Sequence, residues 1–138
     1  ALHSTHTNDY WKNMLEKQIE AKVCDYARAK GVLAYKSTSP ARAAVPDRLF
    51  IRPDGHIWFC EFKRGGQKPT EAQEREHHKL RQHMVSVFVI DNVEDGKMMI
   101  NLMLDMMTII LVFLLKTYKE QGVLMGHAQA EERLAVSP

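Results

Sequence analysis

The sequence predicts an α/β or α+β domain, a mixed central sheet flanked by helices, and three patterns predict it. Residues 9 to 30 carry apolar side chains at helical spacing, and short apolar or alternating runs bounded by Gly, Pro, Ser and Asp follow at 32–36, 48–52 and 56–63. A capped helix from about Thr70 to Met84 then precedes one more alternating run, VSVFVID. Helix, three strands, helix, strand is the order of a sheet with one crossover.

In the first helix Trp11, Leu15, Ile19, Val23 and Tyr26 form one stripe, with Asp9 as N-cap and Gly31 as the C-terminal stop. Glu20 lies at the border of that stripe, half buried or aimed into a cleft. VLAYK is the first strand, and STSPARAAVP, with two prolines and two serines, is a loop that delivers Asp47 to the start of RLFIR. Pro53-Asp54-Gly55 turns the chain into a hairpin with HIWFCEFK. Along that strand Ile57, Phe59, Glu61 and Lys63 share one face, while Trp58, Cys60 and Phe62 share the other, buried one. Pro69 and the Thr70-x-x-Gln73 capping box start the second helix. NVEDG reads as a turn after the last strand.

At 138 residues, 45% of them hydrophobic and 26% charged, the chain has the profile of a single globular domain. Its division is a core over 1–97, an apolar helix over 98–122 that completes the core or forms a dimer interface, and a flexible tail over 123–138. Residues 98–115, MMINLMLDMMTIILVFLL, match a membrane span in length, but Asn101, Asp105 and Thr108 lay a polar stripe along them. The expectation is burial against the sheet and a second subunit, giving a homodimer and no membrane association.

Cys24 and Cys60 lack metal-ligand spacing, and the N-terminus lacks the pattern of a signal peptide, so the expected location is a reducing, cytoplasmic one. Net charge is only +2, yet Lys30, Lys36, Arg42, Arg48, Arg52, Lys63, Arg64 and Lys68 face only Asp47, Asp54 and Glu61 in the middle of the chain.

Three carboxylates and a lysine can converge there. Glu61 and Lys63, two apart on a strand, address the same site, and Asp47 and Glu20 can join them. A surface ion pair is the simpler meaning of Glu61 and Lys63 alone. With Asp47, Glu61 and a strand carbonyl such as that of Phe62, the set suits Mg²⁺, which prefers hard oxygen ligands and acidifies a bound water. Lys63 can orient that water or stabilise charge on a phosphate. His77, His78 and His83 do not form a tetrahedral zinc set, because adjacent helical residues point about 100° apart.

Pro46-Asp47, with Glu61-Phe62-Lys63 beginning fourteen residues after Asp47, resembles the PD-(D/E)xK nuclease superfamily. More closely, Glu16 to Gly96 resembles the virus-type replication-repair nuclease (VRR-NUC) family through EKQIE, KGVLAYK, the loop SP, AVPDRLF, the PDG hairpin, FCEFKRGGQKPTEAQ and VFVID. One departure is Ala44, where the family usually has glycine before the hydrophobic-Pro-Asp segment. The resemblance implies a restriction-endonuclease-like core and a Mg²⁺- or Mn²⁺-dependent DNA endonuclease. Glu20, Asp47 and Glu61 would handle the metal and Lys63 would be catalytic. Glu16 is the alternative to Glu20. Gln73 matches a site glutamine of such nucleases, although it is also the capping-box residue. Lys36, Ser39, Arg42, Arg48, Arg64 and Lys68 cluster around this site as candidate phosphate contacts. Branched DNA such as Holliday junctions, in replication, recombination or repair, is the implied substrate. The alternatives are linear or flap DNA, or a binding module without catalysis.

Overall fold

The structure, a computed structural model, describes residues 14–136. Its contacts divide the chain into one unit ending at Met103 and a second beginning at Leu104.

Helix α1 spans Glu16–Ala29 and buries Ile19, Val23 and Ala27 completely, as the stripe predicts. Asp9 and Trp11 lie outside the described residues. Met14 and Leu15 do not extend the helix; Gln18 Oε1 accepts from the Leu15 amide at 3.1 Å, so the first turn closes at Glu16. Gly31, at φ +85°, ends the helix in a backbone conformation that favours glycine.

The four strands are β1 (Leu33–Lys36), β2 (Arg48–Ile51), β3 (Ile57–Phe62) and β4 (Val87–Ile90), in that order across one sheet. The pairs β1–β2 and β2–β3 are antiparallel, and β3–β4 is parallel. The mixed sheet follows from the connections. A tight turn with Gly55 at φ +90° joins β2 to β3, whereas helix α2 (Glu71–Gln82) carries the chain back to lay β4 parallel. Trp58, Cys60 and Phe62 are fully buried, and Phe50 stacks on its cross-strand partner Trp58 at 5.5 Å between centroids. Cys24 and Cys60 are both buried and free.

Helix α3 is Val93–Val136, and it corrects one expectation. NVEDG is not a turn: Asn92 caps α3, its Oδ1 accepting from the Asp95 amide at 2.8 Å. Gly96 is tolerated inside the helix because a Cβ there would stand 2.3 Å from Val23 Cγ2 on α1. Met99, Ile100 and Met103 are buried, and the first unit ends at Met103. Arg52 is buried too; it grips Asp54 through two bonds of 2.7 Å and donates from Nη1 to the Met103 carbonyl at 3.0 Å.

In the second unit the side chains from Ile109 to Leu115 are 45–67% exposed. Residues 123–136, expected as a flexible tail, are helical, consistent with their Ala, Glu, Gln, Arg, Met and Leu content.

Candidate active site

Asp47 stands immediately before β2. Its carbonyl accepts from Ser37 N at 3.0 Å, prolonging the β1–β2 pairing, and its Oδ2 accepts from the Phe62 amide at 2.8 Å. That bond carries the carboxylate across to β3. In an extended strand a residue's N–H and carbonyl leave along the same edge, so the Phe62 carbonyl faces the Asp47 side. Glu61 is 2% exposed, far from the surface ion pair that its spacing to Lys63 alone suggests. Lys63 Nζ lies 3.8 Å from Glu61 Oε1, and Gln73 Nε2 donates to that same oxygen at 2.7 Å. Gln73 also completes the capping box, its Oε1 accepting from Thr70 N at 2.9 Å. Cap and site are therefore two functions of one amide.

Burial is the main force on the acids here. It pushes Glu61 up to about 7, with the Asp47 charge adding to the effect and Lys63 opposing it. Asp47 is raised by burial, opposed by the Phe62 amide and reinforced by Glu20. Glu16 is raised by burial and then by Asp47. The two helix carboxylates differ in their partners. Glu20 is ion-paired with Arg48 in a largely buried contact, whereas no ion pair to Glu16 is present among the described residues.

No family model matches the chain. A phage protein, "Putative nuclease p44" of Acyrthosiphon pisum secondary endosymbiont phage 1, is 44% identical over 77 residues, 56% of this chain and 83% of that protein. A solved structure described as a VRR_NUC domain matches with a TM-score of 0.60 and 32% identity, covering 62% of this chain and 94% of that one. The chain belongs to the VRR-NUC family. Its mixed four-stranded sheet with flanking helices is the VRR-NUC nuclease fold, and membership makes the core a nuclease domain.

A divalent cation fits this VRR-NUC site in one respect and is constrained in another. Asp47 and Glu61 are hard carboxylate donors whose oxygens keep lone pairs beyond those taken by the Phe62 amide and Gln73. Among the described residues, however, no three His, Cys, Asp or Glu side chains close on one point. Asp47, Glu61 and the Phe62 carbonyl are the groups that would hold such an ion, with water completing its shell, the usual manner for Mg²⁺.

The expected phosphate contacts separate into two groups. Arg48 is engaged by Glu20, and Arg42 reaches Glu76 on α2 through bonds of 3.1 and 3.2 Å. Lys36, Arg64 and Lys68 are exposed, and Ser39 is half-buried in the loop before β2. Sequence reasoning weighed His77 only as a zinc ligand. It is buried on α2 with Nε2 3.8 Å from Glu61 Oε2, and its position four residues after Gln73 was the available signal.

Proposed function

We propose that this VRR-NUC domain is a Mg²⁺- or Mn²⁺-dependent DNA endonuclease. It cuts branched DNA such as Holliday junctions in replication, recombination or repair, as a cytoplasmic homodimer. The observation that carries the chemistry is Glu61: a nearly inaccessible carboxylate, beside Asp47, that keeps lone pairs after accepting from Gln73. Held by Asp47, Glu61 and the Phe62 carbonyl, a divalent cation would polarise the phosphoryl oxygen and acidify the attacking water. The protein's own part is positional and electrostatic. The Phe62 amide fixes Asp47, Gln73 fixes Glu61, and Lys63 brings a positive charge to the same face, where it can orient the nucleophile and offset charge growing on the phosphate. Glu16 is the helix carboxylate better placed to assist, because Arg48 already neutralises Glu20.

The apolar helix supports the homodimer. Val93–Gly122 is long and apolar enough to cross a bilayer by composition. Met99, Ile100 and Met103 are nevertheless buried in the first unit, and the twelve residues Leu104 to Leu115 rise only about 18 Å. That is short of the roughly 30 Å hydrocarbon layer. A second copy would cover the exposed side chains and bring a second active site for the opposing strand of a junction.

The test is a panel of labelled linear, flap, fork and four-way-junction DNAs with Mg²⁺ or Mn²⁺. Preferential metal-dependent cutting of the junction is the expected result. Preference for linear or flap DNA would reassign the substrate, and binding without cutting in either metal would overturn the nuclease reading in favour of a binding module.

A further inference from the structure

Behind Glu61 lies a buried side chain to which the chemistry above gives no part. His77 is 1% exposed, and its Nε2 faces Glu61 Oε2 at 3.8 Å. Neither atom has a hydrogen-bond partner, and neither reaches solvent. Two unsatisfied polar atoms so close together are costly if they remain apart, and a closure of about 1 Å brings them to hydrogen-bond distance. The other oxygen of the same carboxylate is already held by Gln73, four residues earlier and on the same face of α2.

We propose that His77 is a positioning residue: its Nε2–H donates to Glu61 Oε2, so that Gln73 and His77 grip the two oxygens of one carboxylate from successive turns of α2. The direction of the bond follows from the groups. An ionised carboxylate only accepts, and a neutral imidazole donates from one nitrogen, so the nitrogen facing Glu61 carries the proton. Burial is the main factor favouring the neutral ring. A carboxylate with two oxygens keeps lone pairs for a cation after accepting both bonds. Held this way it cannot rotate, and its remaining lone pairs point in one fixed direction. If His77 merely filled space, leucine would serve as well.

The inference rests on the nuclease reading for what Glu61 is held to do, but not for the contact itself. In full-length protein with ¹⁵N-labelled histidine, metal-free and near pH 8.5, above the value of about 7 reached by Glu61, two-bond nitrogen–proton correlations report the tautomer. The expected result is protonation at Nε2, with a proton resonance that shifts in Glu61→Gln; an Nδ1–H tautomer overturns the proposal. His77→Leu should weaken Mn²⁺ binding, measured by calorimetry, about 10-fold or more and lower kcat more than it raises KM. His77→Gln, which keeps an N–H donor at nearly the same reach, should recover wild-type values to within about threefold. Wild-type Mn²⁺ affinity in a folded His77→Leu protein overturns the proposal, as does a folded His77→Gln protein no better than His77→Leu. If His77→Leu does not fold, the wild-type tautomer decides. A wild type that neither binds Mn²⁺ nor cuts DNA would sink the nuclease reading while the tautomer still decides the contact.

Discussion

Gln73 spans two structures with one amide: its Nε2 donates to Glu61 Oε1 at 2.7 Å while its Oε1 accepts from the Thr70 amide at 2.9 Å. The start of α2 and the orientation of the site carboxylate are thereby coupled. Thr70→Ala and Gln73→Ala separate the two effects. Each should lower stability by about 1 kcal/mol through the lost cap, read as a shift in denaturation midpoint. Only Gln73→Ala should also cut activity, by about 10- to 100-fold. Equal activity losses in the two variants would mean that the glutamine acts on the site only through the helix.

Asp47→Asn and Glu61→Gln should each reduce cleavage by two or more orders of magnitude, roughly, while leaving DNA binding nearly intact, because the outer basic residues remain. Lys63→Ala should be inactive yet still bind the metal. Titration calorimetry with Mn²⁺ beside a cleavage assay checks all three; activity within about threefold of wild type in either acid variant contradicts the assignment.

The two helix carboxylates should behave differently. The family resemblance favours Glu20, but the Arg48 ion pair makes Glu20 a strut between α1 and β2. Glu16→Gln should therefore impair metal-dependent cleavage more than Glu20→Gln, and Glu20→Gln should mainly lower the melting temperature. Side-by-side kinetics and thermal denaturation decide the order.

Stability should depend on pH through Glu61. Its ordinary value of 4.5 is raised to about 7 in the fold, with burial the first cause and Asp47 the second. Between these values the folded protein holds a proton that the unfolded chain has lost. Stability from this group is therefore greatest below the lower value and declines as pH rises through the window, by on the order of 3 kcal/mol. Metal-free wild type should melt progressively lower from about pH 5 to pH 8, Glu61→Gln should show a flatter profile, and Mg²⁺ should restore stability at the alkaline end. Parallel profiles for wild type and Glu61→Gln would contradict this account.

Much of the core was legible in sequence because its signals are local. Alternation in HIWFCEFK places Glu61 and Lys63 on one face and the buried aromatics on the other, and Pro53-Asp54-Gly55 marks its hairpin. Local signals fail where a distant neighbour decides. Gly96 marks a turn until Val23 is seen against it, when it becomes the reason α1 and α3 approach closely. Arg48 is one more surface cation in the sequence, and its partner Glu20 is 28 positions away. His77 is nearly hidden for the same reason: only its place four residues after Gln73 separates it from His78, yet the first is buried beside Glu61 and the second is exposed.

Assembly provides the last test. Ile110 and Phe113 are 45% and 67% exposed, and an aspartate at either would carry an unpaired charge into any interface, at a cost of several kcal/mol, roughly. Ile110→Asp or Phe113→Asp should yield monomer or aggregate and reduce junction cleavage more than nicking of simple duplex. Sedimentation of the wild type as a monomer at micromolar concentration contradicts the homodimer.

The internal pairs of Arg48 with Glu20 and Arg42 with Glu76 also bear on how a nucleic acid is held. A cation already matched by a carboxylate displaces few condensed counterions when a phosphate arrives. Of the five expected contact cations, Lys36, Arg64 and Lys68 remain without an ion pair among the described residues, and three phosphates neutralised give a logarithmic salt slope of only about −2.7. So shallow a dependence would leave discrimination to the shape of the substrate rather than to its charge density.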